Sequence, residues 1–146
     1  MIDGRKRLKM KKGKTFDLPK INLALNLMWK NLAGHKFSDE FLKKIQGPMN
    51  EYVFHDHQEI DANLFNIACN LCDMRFKYPN EFSDGFVVQC QSIIDKYFDA
   101  ALETTVTADC AERAAWFLCD AKPVNSDMIS SDFVKKIEKI LEKYFN

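Results

Sequence analysis

The sequence has too few glycines and prolines for a typical β-sandwich or barrel. Its 146 residues include 5 Gly and 4 Pro, whereas folds of that kind use these residues freely in their turns. Hydrophobic residues make up 47% of the chain and charged residues 29%, which is typical of a globular domain rather than a disordered chain. The composition therefore favours a soluble, helical domain.

Long apolar segments are missing as well. A transmembrane helix needs about 20 consecutive apolar residues, and Lys, Asp, Asn or Glu interrupts every apolar run before that length. No apolar segment follows the basic N-terminal stretch, so we expect no secretory signal peptide. The five cysteines form no secreted disulfide framework and are expected to be reduced thiols. These features predict a protein that is neither inserted in a membrane nor secreted.

Motifs for catalysis are also lacking. The chain contains no glycine-rich phosphate loop, no His-Glu-x-x-His helix and no Gly-x-Ser-x-Gly elbow. Its acidic residues are scattered over polar helix faces, and no isolated pair suggests general acid–base catalysis. We therefore expect a protein that is not an enzyme and that has no cofactor and no small-molecule substrate.

A zinc site can be assembled on paper from Cys69 and Cys72 with His55 and His57. The cysteine pair, however, lies on the apolar stripe of a predicted helix, where free cysteine packs as a small hydrophobe. The two histidines lie between predicted helices, and a solvated loop is the ordinary interpretation of such a segment. We therefore expect no metal site.

An internal repeat is the strongest signal in the sequence. Each copy has a serine and an aspartate at a helix start, then a phenylalanine, and a tyrosine eleven residues later. The pairs are Phe41 and Tyr52, Phe86 and Tyr97, and Phe133 and Tyr144. The period is 45 and then 47 residues, which is typical of two-helix repeats that stack into an α-solenoid.

Capping residues and apolar spacing divide each repeat into two helices. Ser38, Ser83 and either Ser130 or Ser131 are predicted N-caps, followed by acidic residues that the helix dipole favours. Apolar residues three and four apart follow each cap. The Gly47-Pro48 dipeptide is expected to kink or break the second helix. Six helices are predicted, near 18–33, 39–53, 61–75, 84–98, 108–121 and 131–145.

The predicted architecture is a basic N-terminal extension over residues 1–16 and an all-α domain over residues 17–146. The domain contains three helix–turn–helix repeats at about 17–54, 58–99 and 106–146, so the fold class is a short α-solenoid of about six helices. A closed six-helix bundle is the alternative.

Residues 23–35 read LALNLMWKNLAGH, and Phe41-Leu42 opens the next helix on paired apolar residues. This first repeat resembles the organellar octotricopeptide and heptatricopeptide repeat proteins. The second repeat fits in part through residues 62–68, and the third keeps Trp116 but loses the Leu-Ala-x-Gly ending. The likeness covers residues 20–146, with a longer period and a shorter array than that family has. The resemblance implies a mitochondrial or plastid RNA-associated protein.

The formal net charge is zero, but the charges are strongly segregated. Residues 1–20 hold eight basic and two acidic residues, whereas residues 21–146 hold 13 basic and 19 acidic ones. A basic segment of this kind neutralises RNA phosphates, and a nuclear import signal or an inert tail are the alternatives. The acidic body repels phosphate and is expected to dock on proteins. The predicted RNA-binding residues are Arg5, Lys6, Arg7, Lys9, Lys11, Lys12 and Lys14.

A second basic surface is predicted from the repeat. Lys43 and Lys44 occupy the same place in the first repeat that Lys135 and Lys136 occupy in the third. A repeated pair of lysines suits a phosphate backbone. The alternative is that they are ordinary solvated lysines on polar helix faces.

We therefore predict a non-catalytic, RNA-associated helical-repeat protein, an accessory structural subunit of an organellar (mitochondrial) ribosome or a similar ribonucleoprotein. The tail would contact RNA, which is rRNA in a ribosome, and the repeat body would contact other protein subunits. The alternative is a protein–protein adaptor without direct RNA contact, such as a peripheral subunit of another large complex. A mitochondrial location is expected, with a nuclear or cytoplasmic one as the alternative.

Overall fold

The computed structural model describes residues 15–122 and 129–146, and all regular secondary structure within these ranges is helical. In chain order the helices are α1 (Leu18–Leu32), α2 (Asp39–Phe54), α3 (Ala62–Lys77), α4 (Asp84–Glu103), α5 (Ala108–Trp116) and α6 (Ser131–Phe145). A π-helical segment, Phe117–Ala121, continues directly from α5. The predicted all-α fold of three helix–turn–helix repeats is confirmed. None of the helices within the described ranges has the length and hydropathy needed to cross a membrane.

The chain divides into two compact units, Met1–Glu59 and Ile60–Asn146. Unit 1 contains the hairpin of α1 and α2, and unit 2 contains the hairpins α3–α4 and α5–α6. Within unit 2, α4 packs against both α3 and α6, and α5 packs against α6. The sequence predicts a single three-repeat domain from residue 17 onwards, whereas the structure groups the first hairpin separately from the other two.

The second helix of each hairpin begins with the same hydrogen bond. The hydroxyls of Ser38, Ser83 and Ser130 each accept from the backbone N–H three residues later, at 3.2 Å. Such caps satisfy a backbone donor that the helix leaves free. The structure selects Ser130 over Ser131 as the third cap. The repeat in the sequence is therefore a repeat of helix starts.

Helix α2 runs continuously through Pro48, so of the kink or break expected at Gly47-Pro48, the break does not occur. A proline inside a helix removes one backbone hydrogen bond and costs about 3 kcal/mol. The residues that follow it oppose this cost, because Met49 and Val53 are completely buried and Tyr52 is 4% exposed. Burial of one such side chain contributes about 1.5–3 kcal/mol. Packing of the second half of α2 therefore outweighs the local preference of proline.

A chain of aromatic rings forms the centre of unit 2. Phe98 of α4 is completely buried, and its ring centroid lies 5.6 Å from that of Phe65 in α3 and 5.8 Å from that of Phe133 in α6. Phe133 also meets Phe117 edge-to-face at 5.4 Å. Aromatic pairs in these geometries add about 0.5–1.5 kcal/mol each beyond the area that they bury. Phe98 thus joins the second hairpin to the third.

Lys143 of α6 caps the C-terminal end of α4. Its ammonium group donates to the carbonyl oxygens of Leu102 at 2.7 Å, Thr104 at 2.9 Å and Ala101 at 3.2 Å. The last carbonyls of a helix have no partner within the helix and carry the negative end of its dipole. A single cation therefore satisfies a helix end and attaches α6 to α4.

Replacing Lys143 with methionine is expected to lower the free energy of unfolding of unit 2 by about 1–2 kcal/mol, because the substitution removes the cap and keeps the aliphatic stem. Urea unfolding measured by tryptophan fluorescence in a Trp29→Phe background reports on unit 2 through Trp116. Lys139→Met is the matched control, since Lys139 is an exposed lysine on the same helix, and it should change stability by less than about 0.5 kcal/mol. Equal unfolding midpoints for the two variants would show that the cap adds nothing.

Candidate functional site

Unit 2 contains an open cleft of about 590 Å³ between α3, the C-terminal half of α4, and α5. This volume lies within the range of ordinary ligand pockets. The cleft, here called the unit 2 groove, is lined among others by Asn66, Tyr97, Asp109, Glu112, Arg113 and Trp116.

Two half-buried aromatic rings face the unit 2 groove, and both are held by the aromatic core. Tyr97 stacks on Phe65, with ring centroids 4.1 Å apart and planes 15° apart. Trp116 stacks on Phe76 at 6.1 Å and meets Phe117 edge-to-face at 4.8 Å. The groove therefore has fixed aromatic walls. Partial burial raises the pKa of the Tyr97 hydroxyl, and neighbouring groups including Asp109 add to that shift.

Among the polar groups of the groove, two carboxylates have no ion-pair partner in the part of the chain that the structure describes. Arg113 donates from Nη2 to Oδ1 of Asn66 at 2.7 Å, which holds the guanidinium against α3. Asp109 and Glu112 are exposed, and within the described ranges neither forms an ion pair nor accepts a side-chain hydrogen bond. The groove thus combines aromatic surface with two exposed carboxylates, and Asp109, Glu112 and Arg113 together carry a net charge of −1.

The basic residues predicted from the sequence fall into two groups. Arg5, Lys6, Arg7, Lys9, Lys11, Lys12 and Lys14 lie outside the described residues. The predicted second basic surface involves both units, with Lys43 and Lys44 exposed on α2 of unit 1 and Lys135 exposed on α6 of unit 2.

Lys136, the fourth residue of that predicted surface, forms ion pairs within unit 2. Its ammonium group lies 2.7 Å from Asp95 Oδ1 and 2.7 Å from Asp99 Oδ1, and its side chain is 22% exposed. Partial burial opposes the charge, but the hydrogen bonds to the two carboxylates prevail and raise the pKa of Lys136. A phosphate would have to displace both aspartates, so Lys136 differs from a solvated, ligand-accessible lysine.

The four residues considered as zinc ligands from the sequence are divided between the two units. Cys69 and Cys72 are completely buried on α3 of unit 2, whereas His55 and His57 belong to unit 1. Burial raises the pKa of the Cys69 thiol, and a hydrogen bond with Cys90 together with burial raises that of Cys72, so both hold their protons. Within the described ranges, no group of three or more His, Cys, Asp or Glu side chains is placed to hold a metal ion.

The two histidines are packed rather than freely solvated, which corrects the simple loop interpretation. His57 Nε2 lies 2.6 Å from the backbone oxygen of Tyr52, and the His57 ring meets the Tyr52 ring at 5.2 Å. The ring of Phe16 lies 5.2 Å from that of His55 and 5.0 Å from that of Tyr52. These rings form a cluster that closes the end of the first hairpin against the residues preceding α1.

Sequence reasoning does not find the unit 2 groove. The Arg113–Asn66 hydrogen bond joins residues 47 positions apart, and nothing in the local pattern distinguishes Asp109 and Glu112 from other acidic residues on a helix surface. Only the equivalent positions of α3 and α5 within the repeat offer a signal, because the first helices of adjacent repeats lie side by side in solenoids.

Comparison with protein-family models, curated proteins and solved structures finds no match for this chain.

The buried thiols lead to a prediction about reactivity. Cys69, Cys72, Cys90 and Cys110 are buried, burial raises the pKa of Cys110 to about 11, and Cys119 is exposed. Because the thiolate is the reactive form, one thiol in five should react rapidly with an aromatic disulfide reagent in the native protein. The other four should react only upon unfolding.

Cys119→Ser is the control for this assignment and should remove the rapid phase completely. Two or more rapid equivalents in the native protein, or a rapid phase that persists in Cys119→Ser, would contradict the described packing of α3, α4 and α5.

Proposed function

We propose that this protein is a non-catalytic, RNA-associated helical-repeat protein that serves as an accessory structural subunit of an organellar ribosome or a similar ribonucleoprotein particle. Its basic N-terminal residues contact RNA, and its acidic repeat body docks on neighbouring proteins. The observation that supports this division of roles is that most of the cations in unit 2 already form ion pairs, hydrogen bonds or helix caps within the unit.

Unit 2 carries nine basic and fourteen acidic residues, and five of the nine cations are engaged within it. Each of the five pairs with a carboxylate, donates to a side-chain amide or caps a helix. The five are Arg75, Lys77, Arg113, Lys136 and Lys143. Binding a phosphate through these groups would disrupt existing contacts, and the surrounding acidic excess would repel it. The N-terminal segment, with seven cations between residues 5 and 14, is far better suited to RNA.

The organellar assignment is supported by the resemblance of residues 23–35 to the first helix of octotricopeptide and heptatricopeptide repeats. The resemblance implies a mitochondrial or plastid location, and the mitochondrial one is proposed here. The lack of catalytic motifs in the sequence favours a structural role over an enzymatic one.

A protein–protein adaptor is the second candidate function. The unit 2 groove favours it, because fixed aromatic walls beside unpaired carboxylates are typical of a surface that receives another polypeptide. In this case the particle would be held by the repeat body, with no contribution from RNA.

Replacing all seven tail cations with glutamine (R5Q/K6Q/R7Q/K9Q/K11Q/K12Q/K14Q) is expected to release the protein from a large RNA-containing particle. Each lost phosphate contact removes counterion release, so the combined loss should be at least a hundredfold in affinity at moderate salt. The measurement is co-sedimentation of tagged full-length protein from an extract of the cells that produce it, with and without ribonuclease and at two salt concentrations.

The triple variant K43Q/K44Q/K135Q is the control, because it removes exposed lysines from the repeats and leaves the tail intact. Because the tail is proposed as the main RNA contact, this variant should lose far less co-sedimentation than the tail variant, although its three lysines belong to the predicted second basic surface. If the tail variant sediments as the parent does, and ribonuclease releases neither, the adaptor function replaces the RNA-associated one.

A further inference from the structure

We propose that the unit 2 groove binds an arginine-bearing segment of a partner protein. The guanidinium group lies against the rings of Tyr97 and Trp116 and pairs with the carboxylates of Asp109 and Glu112. This inference rests on the protein-docking role proposed for the acidic repeat body. It specifies where on that body a partner binds and which chemical group of the partner is recognised.

The aromatic walls suit a planar cation. A guanidinium group is attracted to the faces of tyrosine and tryptophan, and its flat, weakly hydrated shape stacks on rings better than an ammonium group does. Tyr97 is fixed by its stack on Phe65, and Trp116 by its contacts with Phe76 and Phe117. Fixed rings lose little conformational entropy when a ligand arrives.

The carboxylates supply the charge that selects a cation. Asp109 and Glu112 are three residues apart on α5 and therefore lie on neighbouring parts of one helix face. Arg113 follows Glu112 directly in sequence and donates to Asn66 at 2.7 Å. Arg113 keeps its own charge, so the three residues together carry a net charge of −1. A guanidinium group can hydrogen-bond the two carboxylates in a bidentate manner.

Charge argues against other occupants of the groove. A purely apolar helix or strand would cover both carboxylates without pairing them, which carries a desolvation cost. A nucleic acid would bring phosphates towards a unit that has fourteen acidic and nine basic residues. The same acidic excess attracts a basic partner segment over long range and favours its association.

The chain contains two tryptophans, of which one can report binding in the groove and the other can serve as an internal reference signal. Trp116 lines the groove, whereas Trp29 lies on α1 in unit 1. Full-length protein labelled with 5-fluorotryptophan therefore has one ¹⁹F resonance in the groove and one in the other unit. The probe is the peptide acetyl-Gly-Ser-Arg-Gly-Ser-amide, compared with the same peptide carrying citrulline, the uncharged analogue of arginine.

The arginine peptide is expected to shift the Trp116 resonance saturably and to leave the Trp29 resonance unchanged. The citrulline peptide should bind at least about tenfold more weakly, since one lost charge-assisted contact of about 1.5 kcal/mol corresponds to a factor of ten. The isosteric variant D109N/E112Q should weaken the arginine peptide to a similar extent. The matched control E138Q/E142Q removes two exposed carboxylates from α6 and should bind as the parent does.

Equal binding of the arginine and citrulline peptides would overturn the proposal, as would full binding by D109N/E112Q or the lack of any saturable Trp116 shift. A Trp116 shift produced by single-stranded oligouridylate would assign the groove to nucleic acid instead and would also overturn it. Because these measurements involve neither the tail nor a ribonucleoprotein particle, their failure is distinguishable from the failure of the proposed RNA association. A groove that binds arginine in a protein that does not co-sediment with RNA would support the adaptor function.

Discussion

The burial of Phe98 is the interaction on which the rest of unit 2 depends. Its ring contacts Phe65 of its own hairpin and Phe133 of the following hairpin, so the two repeats of unit 2 cannot separate without exposing it. Tyr97 is its neighbour in sequence, and Trp116 is the neighbour of the equally buried Phe117. The two aromatic walls of the groove are therefore positioned by core residues directly beside them. A surface made in this way is held as rigidly as the core, although its side chains are only half-buried.

The second constraint is the distribution of charge. A two-helix repeat must attach each amphipathic helix to its neighbours, and α6 does so partly through cations, with Lys136 between two aspartates of α4 and Lys143 on its carbonyl end. Cations held in this way are not available to bind a phosphate. Residues 21–146 hold 19 acidic and 13 basic residues, while seven cations are concentrated between residues 5 and 14 of the sequence. The proposed separation of RNA contact from protein contact follows from this distribution.

The helix starts could be predicted because they depend on local chemistry. Ser38, Ser83 and Ser130 cap helices through hydrogen bonds that span three residues, and a repeated pattern made each one more certain. What sequence reasoning missed depends on distant partners. Helix α2 continues through Pro48, and Lys136 pairs with Asp95, which is 41 residues away. Both features are decided by tertiary packing that overrides local preference. The groove was missed for the same reason, since Arg113 is engaged by a residue of another hairpin.

The most direct test of the account is the salt dependence of binding between purified full-length protein and single-stranded RNA. For single strands, the slope of log K against log salt is about −0.7 for each neutralised phosphate, so contact through all seven tail cations predicts a slope of about −5. The same slope is expected after the D109N/E112Q change, because the groove takes no part in RNA contact. A slope near zero, or a steep slope that persists when the seven tail cations are neutralised, would contradict the claim that the tail carries the RNA contact and the acidic repeats do not.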